Sequence, residues 1–228
     1  FFEKMSERKD TKYLGIHGML NQAIQEGDKD VALDLAEQAN DLNPKTDNVS
    51  KALFELQVQS GNWEEAEETV RKAVKDKHLD TDIGRRRRAV ILYQRSAEAE
   101  SNGKLSDALN FAKRANNLVP GFVPAAVRTS RLLQGAGKRR KAASVIEEIW
   151  VTNPHPQLVD VMEELSSGVG AQEKMRSVEK LASYNKDHEE SHLAIAKSAL
   201  VAEMWTEARQ HLEAIAQTGS GDVPAARI

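Results

Sequence analysis

The stretch GDKDVALDLAEQANDLNP, residues 27–44, decides the fold. Gly27 can adopt the left-handed backbone that ends a preceding helix, and Asp28 can cap the helix that follows. Pro44 cannot continue that helix. The apolar side chains between them recur at helical spacing: Ala32, Leu35, Ala36, Ala39 and Leu42. The stretch therefore predicts a turn, an amphipathic helix with one buried face, and a helix stop.

The same turn and helix recur along the chain at a nearly constant interval. Glycines open further copies at positions 61, 103, 137 and 170, after intervals of 34, 42, 34 and 33 residues. A last copy starts at Glu203, after 33 more residues, and has lost the glycine. Units of this length that each pack on their neighbours form a solenoid. We therefore expect an all-α, right-handed superhelical solenoid of about six helix pairs.

The repeat positions predict one solenoid domain over residues 12–228. Its helix pairs are expected at about 13–46, 47–80, 89–122, 123–155, 156–188 and 189–222. Residues 223–228 repeat the start of the fourth pair and predict the start of a further one. Residues 77–88 hold the excess of the longest interval, and we expect a loop and then an early, basic helix start. Residues 1–11 are mostly charged and are expected to be a frayed lead-in.

The sequence predicts two details of the core. Trp150 is expected to be a core anchor of the fourth pair. The first helix is expected to bury one apolar side, which consists of Leu14, Met19, Leu20, Ala23 and Ile24.

Composition excludes several classes of protein. The net charge of the 228 residues is −3, so no overall field attracts nucleic acid, and we expect no nucleic-acid partner. The absence of cysteine excludes disulfides and thiolate chemistry. No run approaches the roughly 20 apolar residues that span a bilayer. The chain begins with Phe1 rather than Met, and we expect it to be part of a longer protein that continues past Ile228.

Two motifs suggest chemistry and have simpler alternatives. The sequence His188-Glu-Glu-Ser-His192 spells the metalloprotease pattern, in which two histidines bind zinc and Glu189 acts as base. It lies at a polar helix start, so a zinc hydrolase is only an alternative, and we expect no catalytic residue, metal or cofactor. The run Arg85, Arg86, Arg87 and Arg88 suggests contact with an anionic surface, or pairing within the chain.

The 34-residue unit with Gly, Ala, Ala and Pro at these places resembles the tetratricopeptide repeat. Trp63 and Trp205 occupy the aromatic position after the turn. In such solenoids the first helix of each pair lines a concave groove, which binds protein partners. The side chains expected to line that groove are His17, Asn21, Gln25, Lys51, Glu55, Gln59, Tyr93, Glu100, Arg131, Gln134 and Lys197.

Four further segments stand out: 86–92; 119–126 with 131–133; 140–142 with Trp150 and 153–156; and 179–182 through to 194–196 and 207–209. Together they resemble the HemY family of proteobacteria in its alphaproteobacterial form. The resemblance implies a scaffold anchored in the bacterial inner membrane, with its repeats facing the cytoplasm, that acts late in haem biosynthesis. Its partners would be late haem-pathway enzymes, with porphyrin or haem as a further ligand. A general adaptor for envelope assembly, unrelated to haem, is the alternative.

Overall fold

The computed structural model describes residues 1–43 and 47–217, and these residues contain helices and no strands. Its helices are α1 Phe2–Ser6, α2 Lys12–Glu26, α3 Lys29–Leu42, α4 Asp47–Gln59, α5 Trp63–Lys75, α6 Thr81–Ser101, α7 Leu105–Leu118, α8 Val123–Gly135, α9 Arg139–Trp150, α10 Pro156–Leu165, α11 Ala171–Ser183, α12 Glu189–Val201 and α13 Trp205–Gln217. The chain forms two compact units, Phe1–Arg95 and Ser96–Ile228. We call them the N-terminal and the C-terminal unit.

The turn predicted at Gly27 is confirmed. Gly27 has a φ of 76°, and the N–H of Asp28 donates to the carbonyl of Ala23, which closes the end of α2. Asp28 then caps α3 by accepting a hydrogen bond from the N–H of Val31 at 3.2 Å. Left-handed residues recur at the later turns: Gly61, Gly103, Gly137, Gly168 and Glu203. In the fifth copy it is thus Gly168, and not the predicted Gly170, that turns the chain.

The buried face of α3 is confirmed apart from its last member. Ala32, Ala36 and Ala39 are at most 1% exposed, and their small side chains let the neighbouring helices approach closely. Leu42 at the end of α3 is 45% exposed, although helical spacing placed it on the same face. Pro44, the predicted helix stop, lies outside the described residues.

The predicted apolar side of α2 is wrong at two positions. Leu14 is 58% exposed and Ile24 is 46% exposed, whereas Ile16 is buried. The buried stripe of α2 runs through Ile16, Leu20 and Ala23 at intervals of four and three. At about 100° per residue, Leu14 lies on the opposite side of the helix from this stripe.

The N-terminal lead-in is not frayed as predicted. Phe2–Ser6 forms the short helix α1, which packs on α2. The ring of Phe2 lies against Gly18, and the hydroxyl of Thr11 donates to the carbonyl of Met5 at 2.7 Å. Phe2 therefore provides the apolar contact that the charged composition of residues 1–11 did not suggest.

The irregular segment between the second and third pairs has the predicted form. A loop follows α5, and α6 then begins early, at Thr81, and runs for 21 residues. Asp80 caps it, because its carboxylate accepts hydrogen bonds from the N–H groups of Asp82 and Ile83. The four arginines of the run thus lie on a helix.

Trp150 is a core residue of the fourth pair, as predicted. It is fully buried, and a cluster of apolar side chains from α8 to α12 surrounds it. The helix α10 has only 10 residues, yet it supplies Leu158, Val161 and Met162 to this cluster. The predicted start of a further pair at 223–228 lies outside the described residues.

Candidate functional site

The groove residues predicted in the N-terminal unit are mostly exposed. Asn21 lies 3.3 Å from the Nδ1 atom of His17, one turn earlier on α2. Lys51 and Glu55 form a weak pair at 4.0 Å on α4. The exposed residues of the set are Asn21, Gln25, Lys51, Glu55 and Gln59, and the half-buried ones are His17 and Tyr93. Glu55 and Gln59 also line a cleft of about 180 Å³ beside the turn between α2 and α3.

Predicted groove residues of the C-terminal unit form ion pairs between the first helices of successive repeats. Glu100 on α6 accepts a hydrogen bond from Arg128 on α8. Arg131 on α8 forms two bonds to the carboxylate of Glu164 on α10, at 3.0 and 2.6 Å. The hydrogen bond from Arg131 lowers the pKa of Glu164, against the opposing effect of burial. These charges are therefore already paired within the chain.

A cavity of about 380 Å³ lies in the C-terminal unit, between first helices of the fifth and sixth pairs. Acidic side chains from both helices surround it, together with Lys197, the one lining residue that was predicted from sequence. Its lining residues are Pro156, Val159, Asp160, Glu163, Glu190, Ala194, Lys197, Leu200 and Val201. We call it the acidic cavity.

Sequence reasoning missed the α10 wall of the acidic cavity. Val159, Asp160 and Glu163 follow Pro156 at three, four and seven residues, which is the spacing of one helix face. The same pattern identified groove residues in other first helices. It was passed over here because α10 is short and its repeat deviates most from the others.

The arginine run lies mainly against the protein itself. Arg85 pairs with Asp82, and Arg88 contacts the carboxylate of Glu67 at 3.1 Å. The guanidinium of Arg87 lies 4.9 Å from the ring centre of Phe54, which is the geometry of a cation–π contact. Arg86 is exposed. Contact of the run with an anionic surface therefore stays a prediction, and two of its four charges are paired.

Glu67 is the centre of a buried ion-pair network in the N-terminal unit. Its side chain is 5% exposed and contacts Arg71 at 2.8 Å, Arg88 at 3.1 Å and Arg95 at 3.2 Å. Arg95 also reaches Glu64 at 3.4 Å. Because a buried carboxylate needs such partners, this network ties α6 to α5.

The metalloprotease pattern does not form a metal-binding face. His188 is the N-cap of α12, and its Nδ1 atom accepts a hydrogen bond from the N–H of Glu190 at 3.1 Å. The Nδ1 atom of His192 lies 2.8 Å from Nδ1 of His211 on α13. Within residues 1–43 and 47–217, no three His, Cys, Asp or Glu side chains are arranged to hold a metal ion. Within the described residues, the geometry therefore provides no set of zinc ligands for the hydrolase alternative.

The histidine pair between α12 and α13 was not foreseen. Burial, followed by the charge of His211, lowers the pKa of His192, and Asp187 acts in the opposite direction. Glu207 lies 3.8 Å from the Nε2 atom of His211. No sequence signal could have joined positions 192 and 211, because their contact depends on how α12 packs against α13.

None of the helices in the described ranges combines the length and the apolar character needed to cross a membrane. The pairing of helices with glycine turns defines a tetratricopeptide-repeat solenoid. The family model for the tetratricopeptide repeat matches residues 23–85.

One relative and two solved structures illustrate what the chain is similar to. The protein named "Probable magnetosome protein Mms48" of Magnetospirillum gryphiswaldense is 26% identical over 161 residues. The match covers 71% of this chain and 36% of that protein, so the chain spans about a third of its length. A tetratricopeptide repeat protein from Parabacteroides merdae has 16% identity and a TM-score of 0.45, with coverage of 90% and 79%. The MamA protein has 15% identity and a TM-score of 0.36, with 90% of each chain covered.

Proposed function

We propose that this chain is a non-catalytic scaffold that binds polypeptide partners through the first helices of its repeats. The acidic cavity is the observation that carries this proposal, because first helices of two successive pairs form its walls. Its volume of about 380 Å³ falls in the range of sites that hold a ligand. Its lining combines apolar and charged side chains, and protein–protein interfaces have the same mixed character.

The residues that we expect to contribute most to binding differ from those of the predicted groove. Arg131 and Glu100 contribute less than expected, because each already has a charged partner within the chain. Asp160 and Glu163 contribute more, since both line the acidic cavity and α10 exposes them. The exposed polar residues of α2 and α4 form the corresponding surface of the N-terminal unit.

The finer proposal concerns the process that the scaffold serves. We propose that it belongs to an inner-membrane-anchored protein, faces the cytoplasm and gathers late haem-pathway enzymes. The support for this is the resemblance of four segments to the HemY family. The alternative is a general adaptor for envelope assembly, unrelated to haem, and the relative reported above is named for the magnetosome and not for haem. Direct binding of porphyrin finds no support in the acidic cavity, whose lining includes no aromatic or histidine side chain.

Affinity capture with matched variants tests the scaffold. The intact protein is tagged in its host, captured from detergent-solubilised membranes, and compared with the double variant Asp160→Lys, Glu163→Lys. The control is Glu148→Lys, which changes an exposed charge on α9, the second helix of its pair. We expect a partner that the control retains and the double variant loses. Equal retention by both variants would overturn the role of the acidic cavity.

The haem assignment is tested separately. Ferrochelatase or a porphyrinogen oxidase among the cavity-dependent partners would support it. Normal porphyrin levels after deletion of the gene, together with cavity-dependent partners from other processes, would overturn it. In that case the chain would still be a scaffold, but it would act as the general adaptor and not in haem biosynthesis.

A further inference from the structure

A second, chemically different pocket lies in the N-terminal unit. It has a volume of about 140 Å³ between α4, α5 and the start of α6. Its walls are Ser50, Lys51, Phe54, Thr69, Val70, Ala73, His78, Leu79 and Arg87. We call it the basic pocket. Only Lys51 belongs to the groove predicted from sequence.

The basic pocket depends on the segment that breaks the repeat period. His78, Leu79 and Arg87 all come from residues 77–88, the excess of the longest interval. The N–H groups of His78 and Leu79 donate to the carbonyl of Ala73 at 2.8 and 3.0 Å, which fixes this wall on α5. A repeat of ordinary length would have no such wall.

Gly84 brings the early start of α6 close enough to complete the pocket. A Cβ atom at Gly84 would lie only 2.3 Å from Cγ2 of Val74 on α5. One turn further along α6, Arg87 crosses the ring of Phe54 on α4. The absence of a side chain at position 84 therefore allows the approach of α6 that places Arg87 in the wall.

The charged side chains that line the pocket are all basic. The pocket is lined by the basic residues Lys51, Arg87 and His78, with no acidic side chain among its nine residues. Glu55 approaches Lys51 only at 4.0 Å on the exposed surface. The hydroxyls of Ser50 and Thr69 donate to Asn40 and Gln57. The side chains of Lys51 and Arg87 are therefore the main hydrogen-bond donors that the pocket offers to a ligand.

The apolar part of the lining sets the size of the ligand. Phe54, Val70, Ala73 and Leu79 surround a volume of about 140 Å³, close to that of a cavity of about 150 Å³ that accepts benzene. One leucine or phenylalanine side chain has that bulk. A negative charge beside such a side chain would lie next to Lys51 or Arg87.

We propose that the basic pocket binds a bulky apolar side chain of a partner polypeptide that is flanked by acidic residues. The inference rests on the proposed function in that the ligand is a polypeptide, but it uses a different site. The acidic cavity of the C-terminal unit has the opposite charge. The two sites therefore select segments of opposite charge.

Fluorescence anisotropy with defined peptides tests the proposal on the 228-residue chain. The probe is a fluorescein-labelled peptide of six aspartates with one central leucine; the comparison peptides carry alanine at the centre or lysines at the flanks. We expect Arg87→Glu to weaken binding of the leucine probe about tenfold. The matched control Arg86→Glu removes the neighbouring exposed charge and should change binding less than about threefold. The alanine peptide should bind about tenfold more weakly, as the loss of a buried leucine predicts.

Several outcomes would overturn the basic pocket. Weak peptide sites have dissociation constants up to about 1 mM. If the leucine probe shows no binding at about 1 mM, the proposal for the basic pocket is wrong. Equal effects of Arg87→Glu and Arg86→Glu would show non-specific attraction instead. Binding of laurate that depends on Arg87, without binding of the peptide, would identify a lipid carboxylate as the occupant. The anisotropy measurement uses the purified chain and reads binding through Arg87, whereas the proposed function is read by partner capture through Asp160 and Glu163, so each test can fail without the other.

Discussion

The indole N–H of Trp150 donates a hydrogen bond to the hydroxyl of Ser191 at 3.0 Å, and both residues are fully buried. The bond joins α9 to α12, 41 residues apart in sequence. Ser191 in turn donates to the carbonyl of Asn185 at 2.6 Å, so its one hydroxyl links α9 to the loop that precedes α12. The core of the C-terminal unit is thus positioned by a polar contact as well as by apolar packing.

Replacing Ser191 by alanine should destabilise the chain by about 1–3 kcal/mol, because the buried indole N–H loses its acceptor. Trp150→Phe removes the donor and should also cost stability through lost packing. In a double-mutant cycle measured by urea unfolding, we expect a coupling of about 0.5–1.5 kcal/mol between the two positions. A coupling near zero would show that the hydrogen bond contributes nothing.

Glu67→Gln should destabilise the N-terminal unit by about 2–3 kcal/mol, because the arginines around it lose their shared carboxylate. The matched control is Glu68→Gln, which removes an exposed carboxylate 4.0 Å from Arg71. That change should stay within about 0.5 kcal/mol. Thermal unfolding of the two variants in parallel provides the comparison. A similar loss of stability in both variants would show that the buried Glu67 contributes no more to stability than the exposed Glu68.

Gly84→Ala should destabilise by about 1–3 kcal/mol, since its methyl group would overlap Val74 on α5. Adding Val74→Ala should recover part of that loss by making room for the methyl group. Gly135→Ala is the control, because a Cβ atom there meets nothing within 4 Å and the residue is helical. It should be neutral or stabilising by up to about 1 kcal/mol. A Gly84→Ala variant as stable as the Gly135→Ala variant would disprove the close approach.

The His192–His211 contact predicts acid sensitivity. The pKa of His192 is lowered in the folded state, so the unfolded chain binds a proton more readily. Stability is therefore fully present above the unfolded value of about 6.5 and falls as the pH drops below it. We expect the melting temperature to fall between pH 7.5 and 5.5, and His192→Asn to reduce that fall. His188→Asn, which keeps a capping residue at the start of α12, should leave it unchanged.

An unchanged pH dependence in the His192→Asn variant would contradict this explanation. The carboxylates that face the pair are Asp187, which opposes the effect of burial on the pKa of His192, and Glu207, which lies 3.8 Å from Nε2 of His211. If they dominated, the melting temperature of the wild type would rise rather than fall on acidification. The direction of the change therefore decides between burial and these carboxylates.

Local chemistry made much of the fold predictable. The turn at Gly27 and the alanine stripe of α3 depend on neighbours in sequence, and both were read correctly. Leu14 and Leu42 were misplaced because helical spacing defines a face but not its width or which neighbour covers it. The lead-in was misjudged because one aromatic contact, Phe2 with Gly18, outweighs a charged composition.

The candidate sites were less predictable than the fold. Arg131 was identified as a groove residue, but its partner Glu164 lies 33 residues away and depends on how two repeats stack. The metalloprotease pattern lies at a helix start, as the sequence indicated, but only the structure shows that His188 caps α12 and that His192 faces α13. The basic pocket arises from an interruption of the repeat, which sequence reasoning located without foreseeing its chemistry.

Site-specific photo-crosslinking in the intact protein tests the scaffold most directly. The crosslinker p-benzoylphenylalanine is placed at Asp160 and Val201 in the acidic cavity, and at the exposed Lys113 and Glu148 on second helices as controls. If the cavity holds a partner polypeptide, both cavity positions should crosslink to the same protein in the host cell, and neither control should. Crosslinks of equal yield at all four positions, or none at the cavity positions, would contradict a role of the first helices in partner binding.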